Sequence, residues 1–391
     1  MVFATEEMPI NTVAAIKKIP CVMDVFTVLD NIERCCKCSV MKAFNDSIRS
    51  MRGMLQGGTY ALDSTIIQTK PDFPGCGMTK RKKESRHNDP PEYEYIYGFK
   101  LFVLYEVKSR IIVTMYIVPA NESDHNYFLP MIKQGMHNCG KGRIQLVIAD
   151  RGFLNGSHLW ELKHKMGIDF IIPAKAGMIV REDAIALRKT YKNETSAQWK
   201  YGKGISKGYG VDGLRTYLEY NPPAIKDNKK ANGSPLNAVV VTTWRGKAVS
   251  LAKQIVLLTS LPAEKDAAAI AKAYRLRTYI ENSGFRELKQ AAFLKQLPRR
   301  KGKNAESAAY MHIMLCVFAH SLFYAFLGWR KKQDPEQSAG DCMREWRRRE
   351  SIKEGNKILI VAEEKYYALF EISELLDILG VKQKYRIKMN C

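Results

Sequence analysis

The sequence predicts an α/β protein in which a mixed sheet with flanking helices is interrupted by a β-rich insertion. Three observations lead to this class. Apolar β-type runs dominate residues 59–118, strand and helix patterns alternate from residue 144, and residues 175–260 turn glycine-rich and basic with further β-type runs. The chain has 391 residues, enough for two or three modules around a large core.

The charge balance indicates a polyanionic partner. Lysine and arginine number 62 against 40 acidic residues, a formal charge of +22, so nucleic acid is the first partner to test. We find neither a basic amphipathic anchor, nor an uninterrupted apolar stretch of about 18 residues, nor a signal-peptide pattern. We therefore expect a cytoplasmic protein, associated with the bacterial nucleoid, with no membrane partner.

The N-terminal region, residues 1–57, reads as short helices. Its cysteine cluster, Cys35, Cys36 and Cys38 with Cys21 upstream, invites a zinc interpretation, because zinc prefers thiolate ligands. No second ligand pair at finger-like spacing and no nearby histidine accompany it, which favours unbound thiols. Nine irregularly spaced cysteines also argue against a secreted disulfide framework and for reduced thiols.

Residues 59–67 form an apolar, β-prone run that contains one carboxylate, Asp63. An acid in a strand that looks buried needs a partner, a metal ion or an edge position. The run is followed by a loop with four basic residues, 80–83, which is either a solvated charge run or a phosphate-contacting loop.

Residues 98–107 and 111–118 predict an antiparallel hairpin around a short polar turn. After the hairpin, Asn121 or Asp124 can cap a helix that begins near His125. We therefore interpret Asp124 as a helix cap.

An apolar run over residues 144–149 ends at Asp150, and a glycine turn and a helix follow it. This pattern puts Asp150 at the carboxyl end of a strand, where α/β sites usually lie. With a further strand at residues 170–173, the order becomes β-β-β-α-β-α-β, that of a ribonuclease H-like core. In this core the first and fourth strands are neighbours, which would bring Asp63 beside Asp150.

The segment 274–290 follows the insertion and carries the third acid. On a helix, Tyr274, Arg277 and Glu281 fall at i, i+3 and i+7 and share one face, a combination suited to a DNA strand held beside a metal ion. The alternatives are a solvated surface helix, an Arg277–Glu281 pair without further role, and Tyr274 as a core residue. The predicted boundaries are 1–57 (helical), 58–174 (core), 175–262 (insertion), 263–330 (final core helices) and 331–391 (charged tail).

Three acids in these contexts have a specific chemical use. Two carboxylates about 4 Å from a shared pair of hard cations, with a third acid closing the site, bind two Mg²⁺ ions that flank a scissile phosphodiester. Grouped carboxylates repel one another and retain protons until a cation arrives.

Four motifs in this order resemble a known family. They are Leu62-Asp63-Ser-Thr, the hairpin from Tyr97-Gly-Phe-Lys100 to Val118-Pro-Ala-Asn, Ala149-Asp150-Arg-Gly-Phe153, and Tyr274-x-x-Arg277-x-x-x-Glu281. Over roughly residues 58–329 the chain is similar to the Asp-Asp-Glu (DDE) transposases of bacterial insertion sequences, in the branch with a Tyr-Arg-Glu-Lys signature.

The resemblance implies a ribonuclease H-like catalytic domain that depends on Mg²⁺ or Mn²⁺ and moves a DNA element with short terminal inverted repeats into target DNA. Asp63, Asp150 and Glu281 match the catalytic, metal-binding acids. Arg277 matches an arginine that contacts the DNA backbone, and Tyr274 the signature tyrosine. A homodimer on double-stranded DNA is expected. Further DNA-binding candidates are Lys80, Arg81, Lys82, Arg299 and Arg300, together with residues 200–207.

The chain departs from the signature at two positions. The signature lysine should follow the glutamate by seven residues, but that position is Leu288 and the lysine is Lys289, a rotation of about 100° on a helix. A π-bulge near Ser283 would absorb the extra residue. Thr278 stands where relatives often have tryptophan; Tyr279 could stack instead, although core packing is the favoured interpretation.

Two other functions stay open at this point. A transposase-derived DNA-binding protein that no longer cuts would explain the displaced lysine and the short N-terminal region. A plain nuclease of the same fold is the third possibility.

Overall fold

A computed structural model gives the fold of the chain. It describes residues 34–82, 92–190, 196–201, 204–222, 233–245, 253–290, 294–295, 297, 304–333, 357–362 and 366–371. Two compact units divide these residues, one within 37–325 and the other at the chain ends. The first unit holds the large sheet and every candidate site residue that the structure describes.

Four antiparallel strands form one half of the large sheet: β1 (Thr59–Gln68), β2 (Gly77–Lys82), β3 (Tyr93–Glu106) and β4 (Ile112–Pro119). β3 lies between β1 and β2 and also pairs with β4, which confirms the predicted hairpin. The prediction of a loop is wrong for Lys80, Arg81 and Lys82, which lie on β2, an edge strand. Lys83 lies outside the described residues. Three consecutive basic residues show no apolar alternation, so the sequence pattern does not separate this edge strand from a loop.

The centre of the sheet is the pair that the sequence predicted. β1 runs parallel to β5 (Leu146–Ala149), with Leu62 opposite Ala149, and β5 runs parallel to β6 (Asp169–Pro173). The first strand thus neighbours the strand that ends at Asp150, as a ribonuclease H-like core requires. Apolar side chains on both faces of β1 and β5 are buried, as expected for parallel strands covered by helices.

Helices cover the central strands. A 3₁₀ turn (Asp124–Tyr127) leads into α2 (Phe128–Cys139), and α3 (Gly156–His164) connects β5 to β6. The Asn155 side chain accepts a hydrogen bond from the His158 backbone N–H and caps α3. α1 (Arg34–Ser50) precedes the sheet. The predicted cysteine cluster stays a prediction, because Cys21 and the side chains of Cys35, Cys36 and Cys38 lie outside the described part.

The strands of the β-rich insertion continue the same sheet. After α4 (Ile179–Thr190) come β7 (Ser196–Tyr201), β8 (Gly204–Leu214), β9 (Leu236–Arg245) and β10 (Lys253–Thr259), in the spatial order β6-β10-β9-β8-β7. β10 pairs antiparallel with β6, from Leu257 opposite Pro173 to Thr259 opposite Ile171. The sheet is therefore mixed and contains ten described strands. The domain boundaries proposed from the sequence stay predictions.

The chain then returns to the core through α5 (Ala263–Arg275), a π-helix (Ile280–Phe285) and α6 (Arg286–Gln290). The Asp212 carboxylate on β8 accepts a hydrogen bond of 2.7 Å from the backbone N–H of Ala263. The insertion thereby supplies the N-terminal cap of the helix that follows it. Close packing at this point excludes a side chain at position 210, since a Cβ on Gly210 would lie 1.9 Å from the Ala263 carbonyl oxygen.

The apolar helix α7 (Ala305–Gln333) packs on the sheet. Phe99 and Tyr310 meet edge to face at 5.3 Å, and the Ser321 hydroxyl donates to the Ile112 carbonyl. Residues 305–329 are long and apolar enough to cross a membrane by length and composition, but 56% of the most apolar stretch is buried, a property shared by core helices. The second unit contains a hairpin of β11 (Lys357–Ala362) and β12 (Tyr366–Glu371).

A partly buried polar cluster ties α6 to α7 and yields a stability prediction. The Tyr324 hydroxyl donates to the Glu287 carboxylate at 2.7 Å, and His320 lies 3.3 Å from the same oxygen. Burial raises the pKa of Glu287, but these hydrogen bonds lower it more, so the net direction is downward. We expect Tyr324→Phe to reduce the free energy of unfolding by about 2 kcal/mol, because a hydrogen bond to a charged group is lost.

The matched control is Tyr105→Phe. The Tyr105 hydroxyl is buried and has no hydrogen-bond partner among the described residues. Its removal should leave the free energy of unfolding within about 1 kcal/mol of wild type or raise it. Urea denaturation of both variants measures the difference, and equal losses would contradict the assignment of the Glu287 cluster.

Candidate active site

Strand β1 carries Asp63 into the centre of the molecule. Asp63 is 8% exposed and lies opposite Val103 on β3, one residue beyond the Leu62–Ala149 pair. Its Oδ1 accepts a hydrogen bond of 2.8 Å from the Ser64 backbone N–H. This acid is held rigidly, because strands pair with β1 on both sides and the sheet fixes its direction.

Asp150 follows β5 directly and stands next to Asp63. Its backbone is extended, and a 3₁₀ turn (Arg151–Phe153) begins immediately after it. Phe153 is fully buried and packs edge to face on Phe102 at 5.9 Å, which anchors the turn. The two aspartates are therefore neighbours, as predicted.

Asp124 is not the helix cap that the sequence predicted. Ser123 occupies the cap position of the 3₁₀ turn without a side-chain cap bond, and Asp124 instead accepts a hydrogen bond of 2.9 Å from Lys100 Nζ. A charged partner on β3 outcompetes the local backbone N–H groups. The carboxylate also lies against Gly152, where a Cβ would be 2.4 Å from Asp124 Oδ2. The Lys100–Asp124 pair thus supports the turn after Asp150.

The segment 274–290 is not the single α-helix that the sequence predicted. α5 ends at Arg275, a turn follows at Leu276 and Arg277, and the chain then forms the π-helix and α6. Tyr274, Arg277 and Glu281 nevertheless lie on the same side of the segment, as predicted. Arg277 Nη1 lies 2.7 Å from Asp63 Oδ2 and 2.9 Å from Glu281 Oε1, so one guanidinium joins two of the three acids.

The π-helix from Ile280 to Phe285 confirms the bulge predicted from the residue count. Its wider turn absorbs one residue. Leu288 is fully buried, and Lys289 donates from Nζ to the hydroxyl of Thr65, two residues beyond Asp63 on β1. The lysine thus reaches the strand that carries Asp63, although it stands one position later than the signature requires.

The π-helix predicts an unusual tolerance to deletion. Removing the exposed Asn282 should convert the wide turn into an α-helical one and keep Leu288 buried, so we expect a loss of at most about 2 kcal/mol in the free energy of unfolding. Removing the exposed Lys272 from α5 is the control, because it rotates every later residue of that helix by about 100°. Thermal unfolding distinguishes the two, and equal damage would contradict a π-helix at this position.

Electrostatic coupling joins the three acids. Burial raises the pKa of Asp63 to about 6, opposed by Arg277 and by the Ser64 N–H, while the charges of Asp150 and Glu281 raise it further. Burial lowers the pKa of Arg277, but Asp63, Tyr274 and the other acids raise it more, so the guanidinium stays charged. The site is thus a negative cluster with one internal cation.

The other signature residues line this cluster. The Tyr274 ring lies 5.9 Å from the Arg277 guanidinium and packs beside the buried cluster that includes Trp199, so it is both a core and a site residue. Burial raises its pKa to about 12. Burial, with Lys295 and Arg81 nearby, lowers the pKa of Lys289.

Two predictions beside the site turn out differently. Tyr279 is 42% exposed, so the favoured core packing is wrong, because the turn at Leu276 and Arg277 directs it to solvent. The Thr278 hydroxyl donates to the Arg275 carbonyl and closes that turn. Arg299 and Arg300 lie outside the described residues, and their DNA-binding role stays a prediction.

The donor set suits a hard divalent cation. Asp63, Asp150 and Glu281 carry carboxylate oxygens, the type of ligand that Mg²⁺ and Mn²⁺ prefer. Within the described residues, no three acidic, histidine or cysteine side chains are gathered closely enough to share an ion. The Arg277 guanidinium stands between two of the acids and compensates their charge.

Two comparisons with known proteins give matches. The family model described as "Transposase DDE domain" matches residues 56–318. A piggyBac transposase in a synaptic complex with hairpin DNA is similar in structure, with 13% identity, a TM-score of 0.41 and coverage of 75% of this chain. The match spans 53% of that transposase, about half its length. No curated protein matches the sequence.

Proposed function

Since the chain belongs to the transposase DDE domain family, we propose that it is a DNA transposase that cleaves strands at the ends of an element and joins the freed 3′-hydroxyl to target DNA. One observation carries this proposal. Arg277 joins Asp63 and Glu281 at 2.7 and 2.9 Å while Asp150 follows the neighbouring strand. Two of the three proposed acids thus share one guanidinium, and the third follows the adjacent strand, which supports the proposal.

Each residue of the cluster has a proposed role. Asp63, Asp150 and Glu281 would hold Mg²⁺ or Mn²⁺. What the cations supply when bound is a lower pKa for the attacking water or 3′-hydroxyl and stabilisation of the leaving 3′-oxygen.

The cationic residues of the cluster then serve the DNA. Arg277, released from the carboxylates, would contact a phosphate beside the scissile bond, with Tyr274 packed against its guanidinium. Lys289 would bind a second phosphate next to β1. Both side chains are partly buried, so these contacts are made in a partly desolvated site where charge interactions are stronger than in water.

The proposed substrate is double-stranded DNA. It comprises an element with terminal inverted repeats and a target duplex, handled by a homodimer that pairs two ends. The expected setting is the bacterial cytoplasm, where an insertion sequence would encode the protein. The net charge of +22 favours phosphate binding throughout.

The decisive experiment is incubation with DNA that carries the protein's own flanking inverted repeats in the presence of Mg²⁺. We expect nicked ends and strand-transfer products from wild type and neither from Asp150→Asn, which keeps the side-chain shape and removes the charge. Metal-dependent nicking without joining would instead indicate a nuclease. A mobility shift without cutting would indicate a DNA-binding derivative.

The displaced lysine no longer favours the DNA-binding derivative. That hypothesis drew support from Lys289 lying one residue too late for the signature. The π-helix and the Lys289–Thr65 hydrogen bond remove this support, because the lysine reaches the strand of Asp63.

A further inference from the structure

The edge of the sheet nearest Asp63 carries an exposed aromatic surface, which we call the tyrosine ribbon. It is formed by one face of β2 and the first residues of β3, namely Met78, Lys80, Tyr93, Tyr95 and Tyr97. Met78 is 48% exposed, Tyr93 50% and Tyr95 61%. Large side chains of this kind are usually buried, so a contiguous group on one strand pair indicates a binding surface.

The strand register places these side chains on one face. Met78 lies opposite Tyr97 and Lys80 opposite Tyr95, and alternation along β3 adds Tyr93 to the same side. The Lys80 ammonium lies 4.3 Å from the centre of the Tyr93 ring. An aromatic surface with a cation at its side is the combination that binds nucleic-acid bases and their phosphates together.

The ribbon lies on the same strand as the residue that faces Asp63, and the fully buried Phe99 and Leu101 separate the two on that face. Tyr97, Tyr95 and Tyr93 share a strand face with Val103, the residue opposite Asp63. Tyr95 and Val103 are eight residues apart, which corresponds to roughly 26 Å along the strand. Lys289 donates a hydrogen bond to Thr65, which lies on β1 between Asp63 and the end of the strand nearest the ribbon. A basic side chain therefore stands between the site and the ribbon.

We propose that the tyrosine ribbon stacks on unpaired bases of the DNA strand that leads away from the cleavage site, about seven to eight nucleotides from it. The proposal rests on the proposed function, which places DNA at Asp63. Tyrosine rings stack on any base, so the contact is independent of sequence, and Lys80 pairs with the adjoining phosphate. Charge complementarity favours DNA over a second copy of this chain, which would bring another strongly basic protein to a basic edge.

The test compares single-stranded and duplex DNA of about thirty nucleotides, labelled for fluorescence anisotropy and carrying 2-aminopurine. The variant Tyr93→Leu with Tyr95→Leu removes the rings and keeps apolar volume. We expect about a tenfold or greater loss of affinity for single-stranded DNA, lost quenching of 2-aminopurine, and duplex affinity within about twofold of wild type. The matched control, Tyr93→Phe with Tyr95→Phe, keeps the rings and should retain both affinities.

Three results would overturn the proposal. The leucine variant could keep its affinity for single-stranded DNA, or it could lose affinity equally for single-stranded and duplex DNA. It could also change the mass of the protein in sedimentation while its DNA affinity stays the same. The last would assign the ribbon to contacts between copies. Cleavage of the inverted-repeat substrate is measured in parallel. If wild type cleaves its substrate but the leucine and phenylalanine variants bind single-stranded DNA equally well, the ribbon proposal alone fails. If wild type binds no DNA, both fail.

Discussion

The Asp63→Asn variant should be inactive in DNA cleavage and yet more stable than wild type in metal-free buffer near neutral pH, by about 2 kcal/mol in the free energy of unfolding. The reason is that burial raises the pKa of Asp63 from 3.8 to about 6, even with Arg277 beside it. Folding therefore works against the ionised carboxylate. Asparagine removes the buried charge and keeps one acceptor oxygen for the Ser64 N–H. Its amide nitrogen cannot accept from Arg277, which lowers the gain in stability.

The pH dependence gives the sign of this effect. A carboxyl group with a raised pKa binds its proton more tightly in the folded state, so wild type should lose stability as the pH rises from about 4 to about 6 and change little above that range. Asp63→Asn should lack this decrease. Chemical denaturation across the pH range measures it. Asp124→Asn is the control: it breaks the Lys100 ion pair and should lower stability. Parallel pH curves for wild type and Asp63→Asn would contradict the prediction.

The Arg277→Gln variant should lose about 3 kcal/mol near neutral pH without metal, the opposite direction from Asp63→Asn. The Arg277 side chain is 17% exposed and that of Asp63 12%, so the substitution leaves a buried carboxylate without its cation. The loss should shrink as the pH falls towards about 6, because without Arg277 the pKa of Asp63 rises further and its carboxyl group takes up a proton. Combining Arg277→Gln with Asp63→Asn should restore most of the stability.

Divalent cations add a second measurement on Arg277→Gln. With the proposed metal site, a cation would compete with the guanidinium for Asp63 and Glu281 in wild type, whereas in the variant it would not. Mn²⁺ should therefore bind the variant more tightly and raise its unfolding temperature more than that of wild type. Arg277→Lys keeps one charge without the planar fork and should fall between the two. Equal Mn²⁺ affinity of wild type and Arg277→Gln would show that the guanidinium is no obstacle to the ion.

The central part of the site could be predicted because it depends on local pattern and chain order. Asp63 within an apolar strand and Asp150 at the end of another could be paired through the strand order, and β1 does lie beside β5. The π-helix could be predicted from a count, since one extra residue between Glu281 and Lys289 must be absorbed somewhere. Such features need no knowledge of distant contacts.

What could not be predicted depends on partners far apart in sequence. Asp124 has cap-like surroundings, but Lys100 reaches it from β3. The cap of α5 comes from Asp212, about fifty positions earlier, and no local motif signals it. The insertion could be recognised as β-rich from its sequence. Its strands join the core sheet because β10 pairs with β6, and periodicity alone cannot predict which strands pair.

The Arg277 bridge also affects how the protein responds to ionic strength. The whole molecule carries a formal charge of +22, and its long-range field repels small cations, while the negative cluster is partly cancelled from within by a guanidinium. Added salt or bound DNA screens that field. Under the proposed function, monovalent salt should therefore weaken DNA binding and ease the entry of divalent cations. A bound polyanion should also ease that entry and would offer phosphates to Arg277.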